Sequence, residues 1–158
     1  MTQPLTGEVL ARRIKEVLGG VVDDANATDV WVRPQSVLEV CRFLKETPDL
    51  GFDFLNSISG VDYVEYFEVV YHLTSLVYNH STVVKTRVYG REEPTVPSVL
   101  PVWRGADLQE REVYDLMGIV FAGHPNLKRI MLWEGFPGHP LRRDWSEPDY
   151  PYTWPHGG

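Results

Sequence analysis

The C-terminal segment over residues 120–158 most restricts the fold of the chain, because it is crowded with proline and glycine. It contains 11 prolines and glycines, a density that prevents a long helix or a central strand. The same segment carries seven aromatic residues, which are scarce in disordered chains. An aromatic segment of this length without regular structure has to bury its rings against a surface. We therefore predict an extended arm that lies either on another protein or back on its own domain.

The rest of the chain has the composition of one globular domain. The whole chain has 158 residues, of which 43% are hydrophobic, enough for one core. The net charge of −7 lies entirely in residues 1–119, without the basic cluster that nucleic-acid binding requires. No apolar run is long enough to span a membrane, and the N-terminus lacks the pattern of a signal peptide. We expect a soluble chain that stays in the cytoplasm.

Hydrophobic periodicity predicts an α+β fold for residues 1–119. Apolar residues recur at helical spacing in two ranges, 9–18 and 34–44, and short or alternating apolar runs indicate strands. The expected strands are 21–24, 29–32, 54–61, 66–75 and 82–89. The pattern predicts a two-layer α+β domain, in which a mixed sheet of about five strands packs on two helices. A third helix and the extended arm follow this domain.

The single cysteine limits the redox chemistry that the chain itself can support. Cys41 falls on the apolar stripe of the second predicted helix, so we expect a small buried core residue. One cysteine excludes an internal disulfide, a CxxC zinc site and an iron–sulfur cluster held by thiolates of this chain alone. A metal site built on His124 and His139 would need further ligands that the sequence does not supply. No glycine-rich nucleotide motif occurs.

A dense group of charges marks the third predicted helix. Asp107 has the spacing of an N-cap with a glutamate three residues later, and Gly118 suits the C-terminal end. The charges that follow are Glu110, Arg111, Glu112 and Asp115. Because Asp107, Arg111 and Asp115 are four residues apart, they predict alternating charges along one helix face. Three interpretations remain open: a solvated face, a docking surface with Arg111 as a clamp, and catalysis by paired carboxylates.

Four stretches from this helix onward form a pattern shared with a known family. They are Glu-Arg-Glu-Val-Tyr-Asp-Leu-Met-Gly at 110–118, His-Pro-Asn-Leu-Lys-Arg-Ile-Met at 124–131, Trp-Glu-Gly-Phe at 133–136 and Gly-His-Pro-Leu-Arg-Arg-Asp at 138–144. The pattern resembles the signature of the thirty-kilodalton subunit of respiratory complex I, the NADH:quinone oxidoreductase. So many matching positions in order exclude chance. The resemblance spans nearly the whole chain, except for a short N-terminus and residues 151–158.

The resemblance implies a cofactor-free peripheral-arm subunit of a proton-translocating NADH:quinone oxidoreductase. Such a subunit braces the forty-nine-kilodalton-type subunit near the quinone site, on the cytoplasmic side of the cell membrane. FMN and iron–sulfur clusters then belong to partner subunits, and this chain has no catalytic, cofactor-binding or metal residue. The implied partners are the forty-nine-kilodalton-type and iron–sulfur subunits of one hetero-oligomer, with no nucleic acid and no direct membrane span.

Two alternatives to this function stay open. One is the equivalent subunit of a membrane-bound hydrogenase or of a ferredoxin- or deazaflavin-dependent dehydrogenase, because these assemblies share part of the signature. The other is a stand-alone binding module, which would need no partner subunit. The presence of Glu-Gly-Phe at 134–136 and Gly-His-Pro-Leu-Arg at 138–142 favours the quinone type.

The residues expected at the partner interface lie on the third helix and on the arm. The helix residues are expected to pair across or beneath the interface, and the arm residues to hold the arm in place. They are Glu110, Arg111, Glu112, Asp115, His124, Arg129, Trp133, His139, Arg142, Arg143 and Asp144. The expected organisation is thus a domain over 1–119, which includes the third helix, and a partner-binding arm over 120–158.

Overall fold

The computed structural model describes residues 1–148, and these residues have the predicted two-layer α+β fold. Their three helices are α1 (Gly7–Leu18), α2 (Val37–Glu46) and α3 (Ala106–Met117). Their eight strands are β1 (Gln3–Pro4), β2 (Val22–Ala25), β3 (Asp29–Val32), β4 (Phe54–Asp62), β5 (Phe67–Ser75), β6 (His80–Val88), β7 (Thr95–Pro97) and β8 (Val120–Ala122). None of the helices in this described part is long and apolar enough to cross a membrane.

The main sheet is mixed and has the strand order β2-β3-β6-β5-β4, with β1 parallel to β6. Its centre is the predicted β5–β6 hairpin, in which Tyr71 lies opposite Val84. The hairpin turn contains Asn79 at φ 54°, a left-handed conformation that asparagine tolerates better than most residues. This hairpin fixes which face of each central strand turns toward the helices.

The core lies between one face of this sheet and the helices. The alternating residues of β5 that face inward include Phe67 and Tyr71, and both are fully buried. They meet Leu10 and Ile14 of α1 and Cys41 of α2 in one cluster. Each leucine, isoleucine or phenylalanine in this cluster contributes roughly 1.5–3 kcal/mol when it leaves water. The prediction that Cys41 is a buried core residue is confirmed, and burial raises the pKa of its thiol.

Three short strands, β1, β7 and β8, were not predicted, because two or three residues are too few to show alternation. β7 and β8 form a parallel pair in which Val96 lies opposite Phe121. Phe121 is only 1% exposed and belongs to the core cluster. The first residues of the predicted arm, 120–122, are therefore part of the packed domain, and the arm leaves the core after them.

Candidate partner-binding site

The ends of α3 position the charged residues on this helix. The helix begins at Ala106 after Gly105, so the prediction that Asp107 is the N-cap is wrong. Asp107 is instead the second helical residue, and its carboxylate lies 3.0 Å from His124 Nε2. An acidic residue in the first turn still suits the helix dipole. Gly118 ends the helix at φ 73°, as predicted, and donates its N–H to the Tyr114 carbonyl at 2.8 Å.

The charges spaced along α3 contact the arm rather than one another. Asp107 contacts His124, and the Arg111 guanidinium donates to the Lys128 carbonyl at 3.2 Å. Asp115 also bonds to arm residues. Within residues 1–148 no ion pair joins these three helix residues. The predicted charged face of α3 is thus the face on which the arm lies.

Asp115 attaches the arm to α3 through four hydrogen bonds. Its Oδ2 accepts the three successive backbone N–H groups of residues 130–132, at 3.1, 2.8 and 2.9 Å. Its Oδ1 accepts from Arg129 Nη1 at 3.1 Å. Burial by itself would raise the pKa of this fully buried carboxyl, but the three N–H donors and Arg129 outweigh it, and the pKa is lowered. The carboxylate is therefore ionised, and all of its donors come from the arm.

Asp62, at the end of β4, is a second attachment point that sequence reasoning missed. Arg91 binds its carboxylate through both terminal nitrogens, at 2.8 and 2.7 Å, and this pair is the main reason that its pKa is lowered. Asp62 also accepts the backbone N–H of Arg143 at 2.9 Å, while Arg91 Nε reaches Asp144 at 3.0 Å. The partners lie 29 and 81 residues from Asp62, so no local pattern reveals them.

Arg142 and His139 cover the C-terminal end of α3. Arg142 donates to the Met117 carbonyl at 2.6 Å and to the Gly118 carbonyl at 3.3 Å, where a cation also suits the helix dipole. His139 Nδ1 donates to the Asp115 carbonyl at 2.8 Å, and burial lowers the pKa of this imidazole. A Cβ at position 118 would lie 2.5 Å from Arg142 Nη2, so this close cover requires glycine.

Glu110 points from α3 into the domain. Its carboxylate accepts the Ser98 hydroxyl at 2.6 Å and the Val99 N–H at 2.7 Å. The residue is fully buried, and burial raises its pKa in spite of these two donors. Glu110 therefore ties α3 to the segment that follows β7. It shares no contact with Asp115 that would make the two a catalytic carboxylate pair within the described residues.

The aromatic residues of the arm pack partly on one another. The rings of Trp133 and Phe136 meet edge to face at 5.8 Å, and Phe136 stacks on Trp145 at 6.0 Å. Trp145 Nε1 donates to the Pro137 carbonyl at 2.7 Å. The arm thus buries part of its own aromatic surface. Of the two predicted courses, on another protein or back on its own domain, the described portion of the arm follows the second.

One surface of the helix and arm remains exposed, and we call it the α3–arm surface. It consists of Glu112, Ile130, Met131, Leu141 and Arg143, all of them exposed. The three apolar side chains are 41%, 60% and 58% exposed, although backbone bonds hold each of them beside the last turn of α3. The two charged side chains form no ion pair within residues 1–148. Large apolar side chains held in fixed positions in water are typical of a protein interface.

The two arm histidines within the described residues, His124 and His139, are used as hydrogen-bonding groups. His124 Nε2 lies 3.1 Å from the Asp107 carbonyl, and its Nδ1 accepts the Asn126 N–H at 3.0 Å. His139 contacts a helix carbonyl through Nδ1. In the described part of the chain, no group of three or more His, Cys, Asp or Glu side chains is arranged to hold a metal ion.

Comparison with known proteins identifies the family. Residues 30–151 match the family model described as the respiratory-chain NADH dehydrogenase, 30 Kd subunit. An NADH-quinone oxidoreductase subunit of Rhizobium etli is 47% identical over 138 residues, which cover 83% of this chain and 73% of the relative. The corresponding subunit of Roseiflexus castenholzii is 44% identical over 142 residues, which cover 86% and 81%. The chain belongs to the thirty-kilodalton subunit family of respiratory-chain NADH dehydrogenase, as the signature predicted.

A solved structure supports the same fold. A chain of the membrane-bound sulfane sulfur reductase, an archaeal respiratory membrane complex, superposes with a TM-score of 0.67 at 22% identity. The match covers 88% of this chain and 84% of the other. The family places this chain among the subunits of a multi-subunit, complex I-type respiratory assembly.

Proposed function

We propose that the chain is a cofactor-free peripheral-arm subunit of a proton-translocating NADH:quinone oxidoreductase, and that its α3–arm surface braces the forty-nine-kilodalton-type subunit near the quinone site. The observation that carries this proposal is the contrast between a firmly held backbone and exposed side chains in the arm. Three backbone N–H groups at 130–132 are bound by Asp115, yet Ile130 and Met131 are 41% and 60% exposed. Such preorganisation lowers the entropic cost of binding.

The predicted interface residues on α3 and the arm have two different roles in this proposal. Arg129, His139, Arg142 and Asp144 hold the arm on the domain, and so act on the partner only through the arm. Glu112 and Arg143 are exposed and contact the partner directly. Neither role includes electron or proton transfer. In this proposal FMN and the iron–sulfur clusters lie on partner subunits, and the chain sits peripherally on the cytoplasmic side of the membrane.

The equivalent subunit of a different redox complex is the second candidate, because this fold also occurs in the archaeal sulfane sulfur reductase complex. The likeness at 22% identity concerns the fold alone, whereas the matched relatives are subunits of NADH-quinone oxidoreductases. The two candidates differ in the proteins that assemble with the chain. A flavin-binding NADH module is expected in the first and is not expected in the second.

Co-purification tests this proposal. A tagged chain is isolated from detergent-solubilised membranes, and its companions are identified by mass spectrometry. We expect a forty-nine-kilodalton-type subunit, iron–sulfur subunits and a flavin-binding NADH module. Met131→Glu should abolish this assembly, because a charge buried at an interface without a partner costs on the order of 2–5 kcal/mol.

A matched control separates the interface from general damage. Val77 lies in the β5–β6 turn and is 75% exposed, and Val77→Glu should assemble normally. Migration of the unmodified chain as a small protein on its own would contradict the proposal, and companions without an NADH module would favour the second candidate. Normal assembly of Met131→Glu would reject the α3–arm surface as the contact.

A further inference from the structure

Strand β4 forms one edge of the main sheet, and its outer side is open. The order β2-β3-β6-β5-β4 leaves it a single neighbour, β5. Tyr63 donates to the Tyr66 carbonyl at the start of this antiparallel pair, and the register continues as Val61 opposite Glu68. In an antiparallel pair, backbone groups turn alternately toward and away from the partner strand. The backbone groups of Ile58 and Gly60 therefore point away from β5.

Only part of this outer edge is used within the chain. The Ile58 N–H donates to Gln109 Oε1 at 2.6 Å. For the outward N–H and C=O of Gly60, no partner is present among residues 1–148. Gln109 therefore closes the edge at Ile58, and a short open stretch remains on the side toward Asp62. A short open edge limits uncontrolled pairing but still accepts a short strand.

A groove of about 180 Å³ runs beside this stretch. Its lining includes Gly60 of β4, Val113 and Leu116 of α3 and Leu141 of the arm. A Cβ on Gly60 would lie 3.0 Å from Val113 Cγ1, so glycine allows α3 to pack this closely. A cavity of about 150 Å³ holds benzene, and the groove is therefore large enough for one aliphatic or aromatic side chain.

Charge indicates what kind of segment fits the groove. Glu112 lines it, is exposed and has no ion-pair partner in the described part of the chain. An exposed carboxylate without an ion-pair partner at this position favours a basic side chain opposite it.

We infer that the β4 edge and this groove bind a short, extended, basic segment of a partner protein by strand addition. Its backbone pairs with Gly60, one apolar side chain fills the groove, and a Lys or Arg lies opposite Glu112. The inference deepens the proposed function and rests on it for the source of the segment, which is a subunit of the same complex. It adds a backbone-mediated contact to the side-chain contacts of the α3–arm surface.

Hydrogen exchange of the whole chain, alone and in the purified complex, tests the inference. Ser59 and Val61 turn their N–H groups toward β5 and should exchange slowly in both states. The Gly60 amide should exchange at least tenfold more slowly in the complex than in the isolated chain. Equal Gly60 exchange in a chain that does co-purify overturns strand addition and leaves the proposed function intact. Failure to co-purify overturns the proposed function itself.

Two further outcomes would identify other occupants of the edge. Slow Gly60 exchange in the isolated chain at every concentration would mean that the chain covers its own edge. Slow exchange that disappears on dilution would mean that a second copy covers it. Either result overturns the inference.

A charge reversal tests the basic character of the segment. Glu112→Lys should reduce the Gly60 protection in the complex several-fold, and more at low salt than at high salt. Glu39→Lys, at an exposed position on α2, is the matched control and should leave the protection unchanged. If Glu112→Lys does not assemble, Glu112→Gln is measured, with a smaller loss expected. Unchanged protection in the variant that assembles overturns the assignment of a basic segment.

Discussion

The domain and the arm of this chain are held together by different forces. In the domain, side chains such as Phe67 and Leu10 are fully buried in one continuous core. In the arm after Ala122, large apolar residues such as Met131 and Leu141 are exposed, and the backbone is held by Asp115 and by a second carboxylate at the end of β4. The first region is stabilised by buried area, and the second by a few charge-assisted hydrogen bonds.

This difference predicts how each region unfolds. A core that buries its side chains together unfolds cooperatively, so damage at one point lowers the stability of the whole domain. An arm held at a few points opens locally, with a free energy smaller than that of global unfolding. The arm also leaves its apolar side chains available for a partner, which a self-contained core does not.

The largest change in the free energy of unfolding is expected at the junction between the domain and the arm. Phe121 belongs to the arm by sequence but to the core by burial. Phe121→Ala should therefore lower the free energy of global unfolding by about 3–5 kcal/mol, as in other cores. Urea unfolding followed by circular dichroism measures this loss. The control Met131→Ala removes an exposed side chain and should change stability by less than about 0.5 kcal/mol. Equal effects of the two changes would mean that the core ends before β8.

A smaller loss of stability, confined to the docking of the arm, is expected when Asp115 is changed. Asp115→Ala leaves three backbone N–H groups and Arg129 without their acceptor. Docking of the arm should weaken by roughly 2–4 kcal/mol, while the urea midpoint of the domain moves far less. Hydrogen exchange of residues 124–148 measures the opening, and β5 and β6 serve as the internal reference.

Two variants on the same helix sharpen this test. Asp115→Asn keeps one acceptor oxygen but loses the charge. Its arm should therefore open less often than in Asp115→Ala and more often than in the unmodified chain. Glu112→Ala should not open the arm, because Glu112 has no bond to it in the described residues. Loss of β5 and β6 protection together with the arm in Asp115→Ala would mean that the arm is not a separate unit.

The same contrast explains how much of the fold the sequence predicts. The helices and long strands of the domain were predictable because burial imposes a period on the residues, as along β6, where buried and half-buried residues alternate. The parallel β7–β8 pair was not, because each strand has three residues and the two lie far apart in sequence. The start of α3 was also misplaced. Aspartate is a common N-cap residue, but Gly105 is the N-cap here, and the Asp107 carboxylate lies 3.0 Å from His124 Nε2.

For the arm, the signature identified important positions but not their bonds. Asp115 and Arg142 were expected to contact a partner, and within this chain both bind backbone groups. A carboxylate that accepts backbone N–H groups can bind almost any residue type. The sequence therefore does not reveal which residues donate to it. Asp62 and Arg91 escaped notice for the same reason, since their partners depend on the course of the arm and not on spacing. Whether the exposed positions contact the forty-nine-kilodalton-type subunit stays a prediction.

The smallest expected effect is a pH dependence that belongs to the arm alone. Burial lowers the pKa of His139 below its ordinary value of 6.5, so the docked arm binds fewer protons at this site than the open arm. Docking should therefore be constant above about pH 7 and weaken as the pH falls through 6.5. Asp62 and Asp115 also have lowered pKa values, but they act in the same direction only at more acidic pH.

Hydrogen exchange of residues 124–148 is measured between pH 7.5 and 5. The rates are corrected for the intrinsic pH dependence of exchange and compared with rates in β5 that are corrected in the same way. His139→Asn can still donate an N–H to the Asp115 carbonyl and removes the titration, so its arm opening should not vary over this range. If the arm of the unmodified chain docks more tightly on the domain as the pH falls, the His139 imidazole is protonated in the docked arm. The imidazolium then acts as a cation at the C-terminal end of α3. A slope of the same size in β5 would instead assign the titration to the domain, and the separation of the two regions would fail.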